Sequence, residues 1–254
     1  MIIYGSAVES LKPEVIQQLA AENRLKYCLS SYYYLKKNKG FDIRLVQDAI
    51  IDSGAHSFQK GTKVDWESYT HEYARWIRDN DTPKIRGYFE MDVDNIIGYD
   101  NVLKLRHILE KESGHPDKII PVWHRNRGIK DYQRTVAEHP IAAVTGFKNE
   151  DIQDSQYLMF LKEAWKHDCW LHGLGMTRRK ILDRVPFDSV DSASWKALFI
   201  YGRTWWGNER MSAAYVRNNM KHAQLTAYAD LEQGQQHYLL KWRNMGVHNH
   251  PPLK

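Results

Sequence analysis

The sequence predicts an α/β fold: a (β/α)8 TIM-type barrel in which residues 1–254 form a single domain with extra C-terminal helices. Three observations predict it. Short apolar runs alternate with amphipathic stretches, the pattern of a parallel sheet covered by helices. Eight such runs are found within 254 residues, and an eight-unit barrel typically takes about 250. The first run, "IIYGSA", is followed by "VES" and not by a glycine-rich dinucleotide fingerprint, which places an open doubly wound sheet second.

After the strand "IIYGSA", the stretch "PEVIQQLAAENR" reads as a helix, with Pro13 near the first turn, where a missing N–H costs nothing. The strand "AIIDSGA" leads to "WESYTHEYARWIRDN", which sets Tyr69, Tyr73, Trp76 and Ile77 on one helical face. "GYFEMDVD" precedes "YDNVLKLRHILEKES", helical through Val102, Leu105 and Leu109. "IIPVWHR", "IAAVTGF", "CWLHGLGM", "FDSVDSA" and "ALFIYGR" complete the strands, with helices in "DSQYLMFLKEAWKHD" and "TRRKILDRV". The segment from "MSAAYVRNNM" to "LEQGQQHYLLKWRNMG" is helical and closes the barrel or packs outside it. The tail from about 247 to 254 is expected to be loose.

A hydrophobic content of 43% supports a substantial core and excludes a disordered chain. No run of about 18 apolar residues is present, so no membrane partner is expected. "MIIYGSAVES" lacks a basic region before an apolar segment, so no secretory signal is expected. Cys28 and Cys169 support neither a disulfide framework nor a cysteine zinc site, and the expected location is the reducing cytoplasm. Lysine plus arginine number 36 against 31 acidic residues, a net +5 that permits a polyanionic partner without demanding one. Nine tryptophans and fifteen tyrosines include candidates for stacking on bases, although ordinary packing accounts for most aromatics.

In a barrel of this kind, chemistry gathers at the C-terminal ends of the strands. The polar residues there are Asp52, Ser53 and His56; Asp92 and Asp94; His124 and Arg125; His172; Asp191 and Ser192; and Arg203. Carboxylates and imidazoles converging from different strands suit acid–base or nucleophilic catalysis. Each residue taken singly has a plainer explanation, since an aspartate after a strand is commonly a helix N-cap. Asp52, Asp92, His124, His172 and Asp191 could in principle form an oxygen and nitrogen metal site. No HExxH spacing singles out a metal and "HNH" in the tail is a weak signal, so the expected site uses neither metal nor cofactor. Paired carboxylates without metal also serve glycosidic-bond cleavage.

The motifs resemble those of the tRNA-guanine transglycosylase superfamily. "DSGAHSFQKG" resembles its DSGG-F-Q segment, and "HGLGMTRRKILDRVPFDSVDSASW" resembles its G-x-G-T-P segment followed by the strand bearing the catalytic aspartate. "GYFEMDVDNIIGYDN" stands where that family has its base-recognising aspartate. The likeness is greatest to small phage-type, DNA-directed members that handle 7-deazaguanine. The resemblance implies that Asp191 is the nucleophile at C1′ and Asp52 the proton-transferring carboxylate. It implies a base pocket built from Ser53, Gly54, Asp92, His124 and Gly146, and His56, His172 and Gly173, at or beside the same strand ends, are further candidates for it. It also implies a (β/α)8 barrel, in agreement with the strand count.

A base in a duplex must be unstacked to reach such a pocket. Trp195, Trp205, Trp206, Arg203, Arg210 and Trp123 are candidates for stacking or backbone clamping, with a packed loop anchor as the other reading of Trp205 and Trp206. Arg125 and Arg127 of "RNRG", and Arg178 and Arg179 of "TRRK", follow strands on the same face and fit phosphate binding.

The sequence departs from the family where Ala55 and His56 follow Gly54, at a place normally taken by tyrosine or phenylalanine. It also has no cysteine-rich zinc segment. These departures favour DNA, single-stranded or with a flipped base, over tRNA, and favour a monomer because relatives pair through surfaces that include the zinc segment. The expected activity is cleavage of a nucleobase N-glycosidic bond, followed either by base exchange or by hydrolysis to an abasic site. The alternatives are a catalytically inactive nucleic-acid-binding barrel, tRNA-directed base exchange, or a hydrolase of small glycosides.

Overall fold

The computed structural model describes residues 1–37, 41–58, 64–145 and 152–247. Nine parallel strands form one sheet: β1 (Ile2–Ser6), β2 (Tyr27–Ser31), β3 (Asp48–Asp52), β4 (Ile85–Phe89), β5 (Ile119–Ile120), β6 (Val122–Trp123), β7 (Ile141–Thr145), β8 (Trp170–Leu174) and β9 (Ser189–Ser192). Their spatial order is β5-β4-β3-β2-β1-β9-β8-β7-β6. The two edges, β5 and β6, are therefore consecutive in the chain, with only Pro121 between them, and the sheet is nearly closed into a barrel.

Proline explains the break. It has no N–H for a ladder, so hydrogen bonding changes partner there. Ile120 O accepts from Glu90 N on one side, at 3.0 Å, and Pro121 O accepts from Ala143 N on the other, at 2.8 Å. The next donor, Val122 N, goes to the Glu90 side chain, Oε1, at 2.7 Å.

Helices α1 (Pro13–Ala21), α2 (Tyr32–Leu35), α3 (Trp66–Asn80), α4 (Asp94–Ile97), α5 (Tyr99–Glu112), α6 (Ile129–Glu138), α7 (Tyr157–Lys166) and α8 (Arg179–Leu182) lie in the connections between strands. After β9 come α9 (Ala197–Tyr201), α10 (Ala213–Asn218) and the long α11 (Met220–Asn244). The last helix is tied to the first strand, because Gln235 Nε2 donates to Ile3 O at 2.7 Å. Among the described residues, no helix is long and apolar enough to cross a membrane.

Strand alternation separates two apolar clusters. Ile3, Cys28, Ile51, Tyr88, Val144, Leu171 and Val190 join the larger cluster with the helices. Tyr4, Leu29, Ile50, Phe89, Ala143 and Trp170 belong to a second cluster on the other face of the sheet. At the N-terminal end of that face, Arg86 ion-pairs with Asp48 and donates to Tyr4 Oη at 2.8 Å, lying 4.5 Å over the Trp170 ring. A buried guanidinium is tolerable there because it is fully paired. By the same alternation, Ser6, Ser31, Asp52 and Asp191 share the inner face at the C-terminal end.

Two strand expectations are corrected. "ALFIYGR" is helical from Ala197 to Tyr201: it buries Leu198, exposes Ile200 and Tyr201, and ends at Gly202, whose φ of 73° suits a helix C-terminus. "YCLSS" is a strand that was not anticipated, since Cys28 and Leu29 are its only strongly apolar residues. Helix α6 was also unanticipated. The expected helix over "TRRKILDRV" shortens to the four residues of α8. Residues 248–254, most of the tail expected to be loose, lie outside the described residues.

Candidate active site

Asp191, on β9, is buried and surrounded by donors. Ser6 Oγ, from β1, donates to Asp191 Oδ2 at 2.7 Å, and Gly175 N donates to Oδ1 at 2.5 Å. His172 Nε2 stands 3.2 Å from the same Oδ1. The ring is oriented from behind, because its Nδ1 lies 2.8 Å from Ser189 Oγ, which also accepts from Trp170 Nε1 at 2.7 Å. With the Ser189 oxygen already accepting from the indole, its hydroxyl proton can point to Nδ1, leaving Nε2–H to face Asp191. The carboxylate is thus held in one orientation by three groups, from β1 and from β8 and the turn directly after it.

Asp52 ends β3 on the same face, where Ser31 of β2 is its register partner. Its carboxyl has a different environment. Burial pushes its pKa up to about 7, against the opposing effect of the Gly54 N–H, with the charges of Asp92, Asp191 and Glu9 adding to the rise. Glu9, just after β1, is itself buried and accepts from Ser31 N at 3.2 Å, and burial raises its pKa as well.

The turn after Asp52 is shaped by its backbone. Gly54 has a φ of +77°, and a Cβ there would come within 2.5 Å of Tyr33 Cβ and 2.7 Å of Ser31 Oγ. Ser53 is buried, with its carbonyl accepting from Tyr69 Oη at 2.8 Å. His56 is exposed, on the 3-10 turn from Ala55 to Phe58.

A third group follows β4 and β6. His124 Nε2 lies 2.6 Å from Asp92 Oδ1 and 3.7 Å from Asp94 Oδ1. Burial works to lower the His124 pKa, but the Asp92 hydrogen bond and the charges of Asp92 and Asp94 outweigh it and raise the pKa. Behind it, Arg127 binds Asp94 Oδ2 at 3.1 Å. The fully buried Glu90 is bridged by both Arg106 Nε, at 2.6 Å, and its second guanidinium nitrogen, at 3.1 Å.

Several expected nucleic-acid contacts are used up inside the fold. Trp195 is completely buried, donates from Nε1 to Ser6 O at 3.1 Å, and packs against Phe199 and Tyr228, so it cannot stack on a base. The Arg127 side chain is only 3% exposed and is spent on Asp94 and on Val122 O. Arg179 is exposed, yet it donates to the carbonyls of Trp205 and Trp206 and lies 4.2 Å over the Trp206 ring. Asp230 accepts the N–H groups of Trp206 and Gly207, and a Cβ on Gly234 would come within 2.6 Å of Trp205. The packed loop anchor is therefore the reading that fits Trp205 and Trp206. Arg125 and Arg203 are exposed, and Arg178 is exposed but paired with Asp154 at 3.0 Å. Gly173 lies within β8, opposite Val190 of β9. Gly146 lies outside the described residues.

Sequence reasoning missed Ser6, Glu9, Glu90, Gly175 and Ser189. Ser6 ends the first apolar run, so the strand-end rule that marks Asp52 applies to it equally. Glu9 and Glu90 carry no local signal, because their burial depends on distant partners.

Two cavities lie apart from these acids. One of about 690 Å³ is lined by Trp66, Ile97, Leu105 and Ile108, and one of about 490 Å³ by Asp48, Asp81, Arg86 and Lys118. Chemically, the strand-end face offers one oriented carboxylic group and one whose pKa burial raises to about 7, the division of labour used in acid-assisted nucleophilic displacement. Searches found no protein-family model that matches this chain and no curated protein that matches its sequence.

Proposed function

We propose that the protein cleaves the N-glycosidic bond of a nucleobase in nucleic acid, with DNA the favoured substrate. The observation that carries this reading is the unequal pair of acids: Asp191 held by Ser6, Gly175 and His172, and Asp52 with its pKa pushed up to about 7. In the proposed mechanism, Asp191 attacks C1′ while Asp52 gives its proton to the departing base. The bond from sugar to base breaks, and an aspartyl–sugar bond replaces it. A second base or a water molecule then displaces Asp191, giving exchange or an abasic site, and Asp52 takes back a proton in that half-reaction. Asp92 accepts from N–H groups on the base edge, with His124 beside it.

The proposal includes the finer fold reading. Counting β5 and β6 as one strand bent at Pro121 gives eight strand units, as in a (β/α)8 barrel, whose catalytic residues stand at the strand ends. It further takes the protein to be a cytoplasmic monomer that acts on a single-stranded or flipped base.

The test is to incubate the protein with single-stranded DNA, duplex DNA, base-modified DNA and tRNA, with and without a labelled guanine analogue. Released base with abasic sites supports hydrolysis, and label uptake without abasic sites supports exchange. Activity on tRNA alone would replace the DNA reading. DNA binding without any base release would leave an inactive binding barrel. Full activity in Asp191→Asn would remove the proposed nucleophile.

A further inference from the structure

We infer that Asp92, Asp94 and His124 form a site for one divalent transition-metal cation, of the Zn²⁺ or Mn²⁺ class. One oxygen from each carboxylate and one imidazole nitrogen all lie within 4.8 Å of one another. Two donors bound to one ion at about 2.1 Å stand about 3.0 Å apart at right angles and about 3.4 Å apart in a tetrahedron. The separations from His124 Nε2, 2.6 Å to Asp92 and 3.7 Å to Asp94, bracket that range.

Asp94 supplies a second, independent observation. Its side chain is only 4% exposed, its Oδ2 is taken by Arg127, and its Oδ1 has no hydrogen-bond partner. A buried acceptor left unmet costs about 1–3 kcal/mol, and such groups in folded proteins generally have a ligand, water or ion to meet them. The unmet oxygen is the one that lies 3.7 Å from His124 Nε2.

The surroundings suit a cation. Arg127 offsets one of the two carboxylates, which leaves the site with an excess of one negative charge when His124 is neutral. A bound divalent ion would then carry a net positive charge towards the open face. Three protein ligands of mixed oxygen and nitrogen type leave coordination positions vacant, as in catalytic rather than structural sites. Those positions would take an anionic or carbonyl oxygen, such as a phosphate oxygen. The ligands come from two separate strand ends, so the local spacing that motif reading relies on could not reveal them. The inference does not rest on the glycosidic-bond reading, because ion binding is measured without any substrate.

The experiment is calorimetric titration of the intact, EDTA-treated protein with MnCl₂ and with ZnCl₂. One ion per chain is expected, with affinity falling at least tenfold in Asp94→Asn and in His124→Ala. The double variant His248→Ala/His250→Ala, which removes the tail histidines, is expected to bind as the parent does. No saturable binding of either ion, or unchanged affinity in both site variants, would overturn the assignment. Should those variants fail to fold, anomalous diffraction from crystals soaked in Mn²⁺ decides. A peak within about 2.5 Å of Asp94 Oδ1 supports the site, and a peak elsewhere, or none, refutes it.

Discussion

Ser6 and Asp191 stand 185 positions apart in the chain, yet Ser6 Oγ donates to Asp191 Oδ2 across 2.7 Å. The contact exists because β1 and β9 are neighbours in register, with Tyr4 opposite Asp191 and Gly5 opposite Ser192. It joins the first strand to the last at the point where the proposed nucleophile sits.

Ser6→Ala is expected to leave Asp191 short of one donor in a buried setting. A stability loss of about 1–3 kcal/mol follows from removing one partner of a buried hydrogen bond, to be read from the urea midpoint. Base release, where assayed, should fall about tenfold as the carboxylate loses its fixed orientation. An unchanged rate would show that Gly175 and His172 orient Asp191 without Ser6.

The pH dependence centres on Asp52. Its folded pKa, about 7, lies above the ordinary carboxyl value of 3.8. Between those two values the folded protein holds a proton that the unfolded chain has released, so this group's contribution to stability declines as pH rises through that window. The difference corresponds to an upper limit of roughly 4 kcal/mol. Urea midpoints of Asp52→Asn measured from pH 4 to 8 should lack this decline. If Asp52 is the proton donor, base release should also fall as pH rises past about 7.

Gly54→Ala tests the turn beside Asp52. A φ of +77° and a Cβ position within 2.5 Å of Tyr33 Cβ leave alanine neither backbone freedom nor space. A loss of about 2–4 kcal/mol is expected from strain plus overpacking, seen as a lowered melting temperature.

The buried and exposed candidates for nucleic-acid contact should separate cleanly. Trp195→Ala removes a fully buried indole and should cost about 3–5 kcal/mol of stability. Arg125→Ala should leave stability unchanged. If Arg125 touches a phosphate, the variant should weaken DNA binding and reduce the slope of log affinity against log salt by about 0.9. Fluorescence anisotropy at several salt concentrations gives that slope.

The strands and helices with strong periodicity were legible in the sequence. Helix α3 matches the stretch predicted from Tyr69, Tyr73, Trp76 and Ile77, of which Trp76 is partly buried and the other three are buried. Reading failed where a short segment carried a weak or ambiguous pattern. "ALFIYGR" has enough apolar residues for a strand, yet Gly202 permits a helix to end there. "YCLSS" has too few, yet both its neighbours in the sheet, β1 and β3, hold it by backbone hydrogen bonds that demand no particular side chain. The expected total of eight strands thus rested on one wrong and one missing strand, and nine were found because Pro121 divides a single run.

By itself the sequence determined the α/β alternation and the placing of Asp52, Asp92 and Asp191 at or just beyond strand ends, since these depend on local pattern. Only the tertiary structure decided which of those groups are held and which are free. It brought Ser6 to Asp191, Ser189 to His172, and Arg127 to Asp94. It also buried Trp195 and drew Trp205 and Trp206 into packing with Arg179 and Gly234. Burial and pairing are set by residues far away in the chain, and the raised pKa of a carboxyl such as Asp52 comes chiefly from that burial.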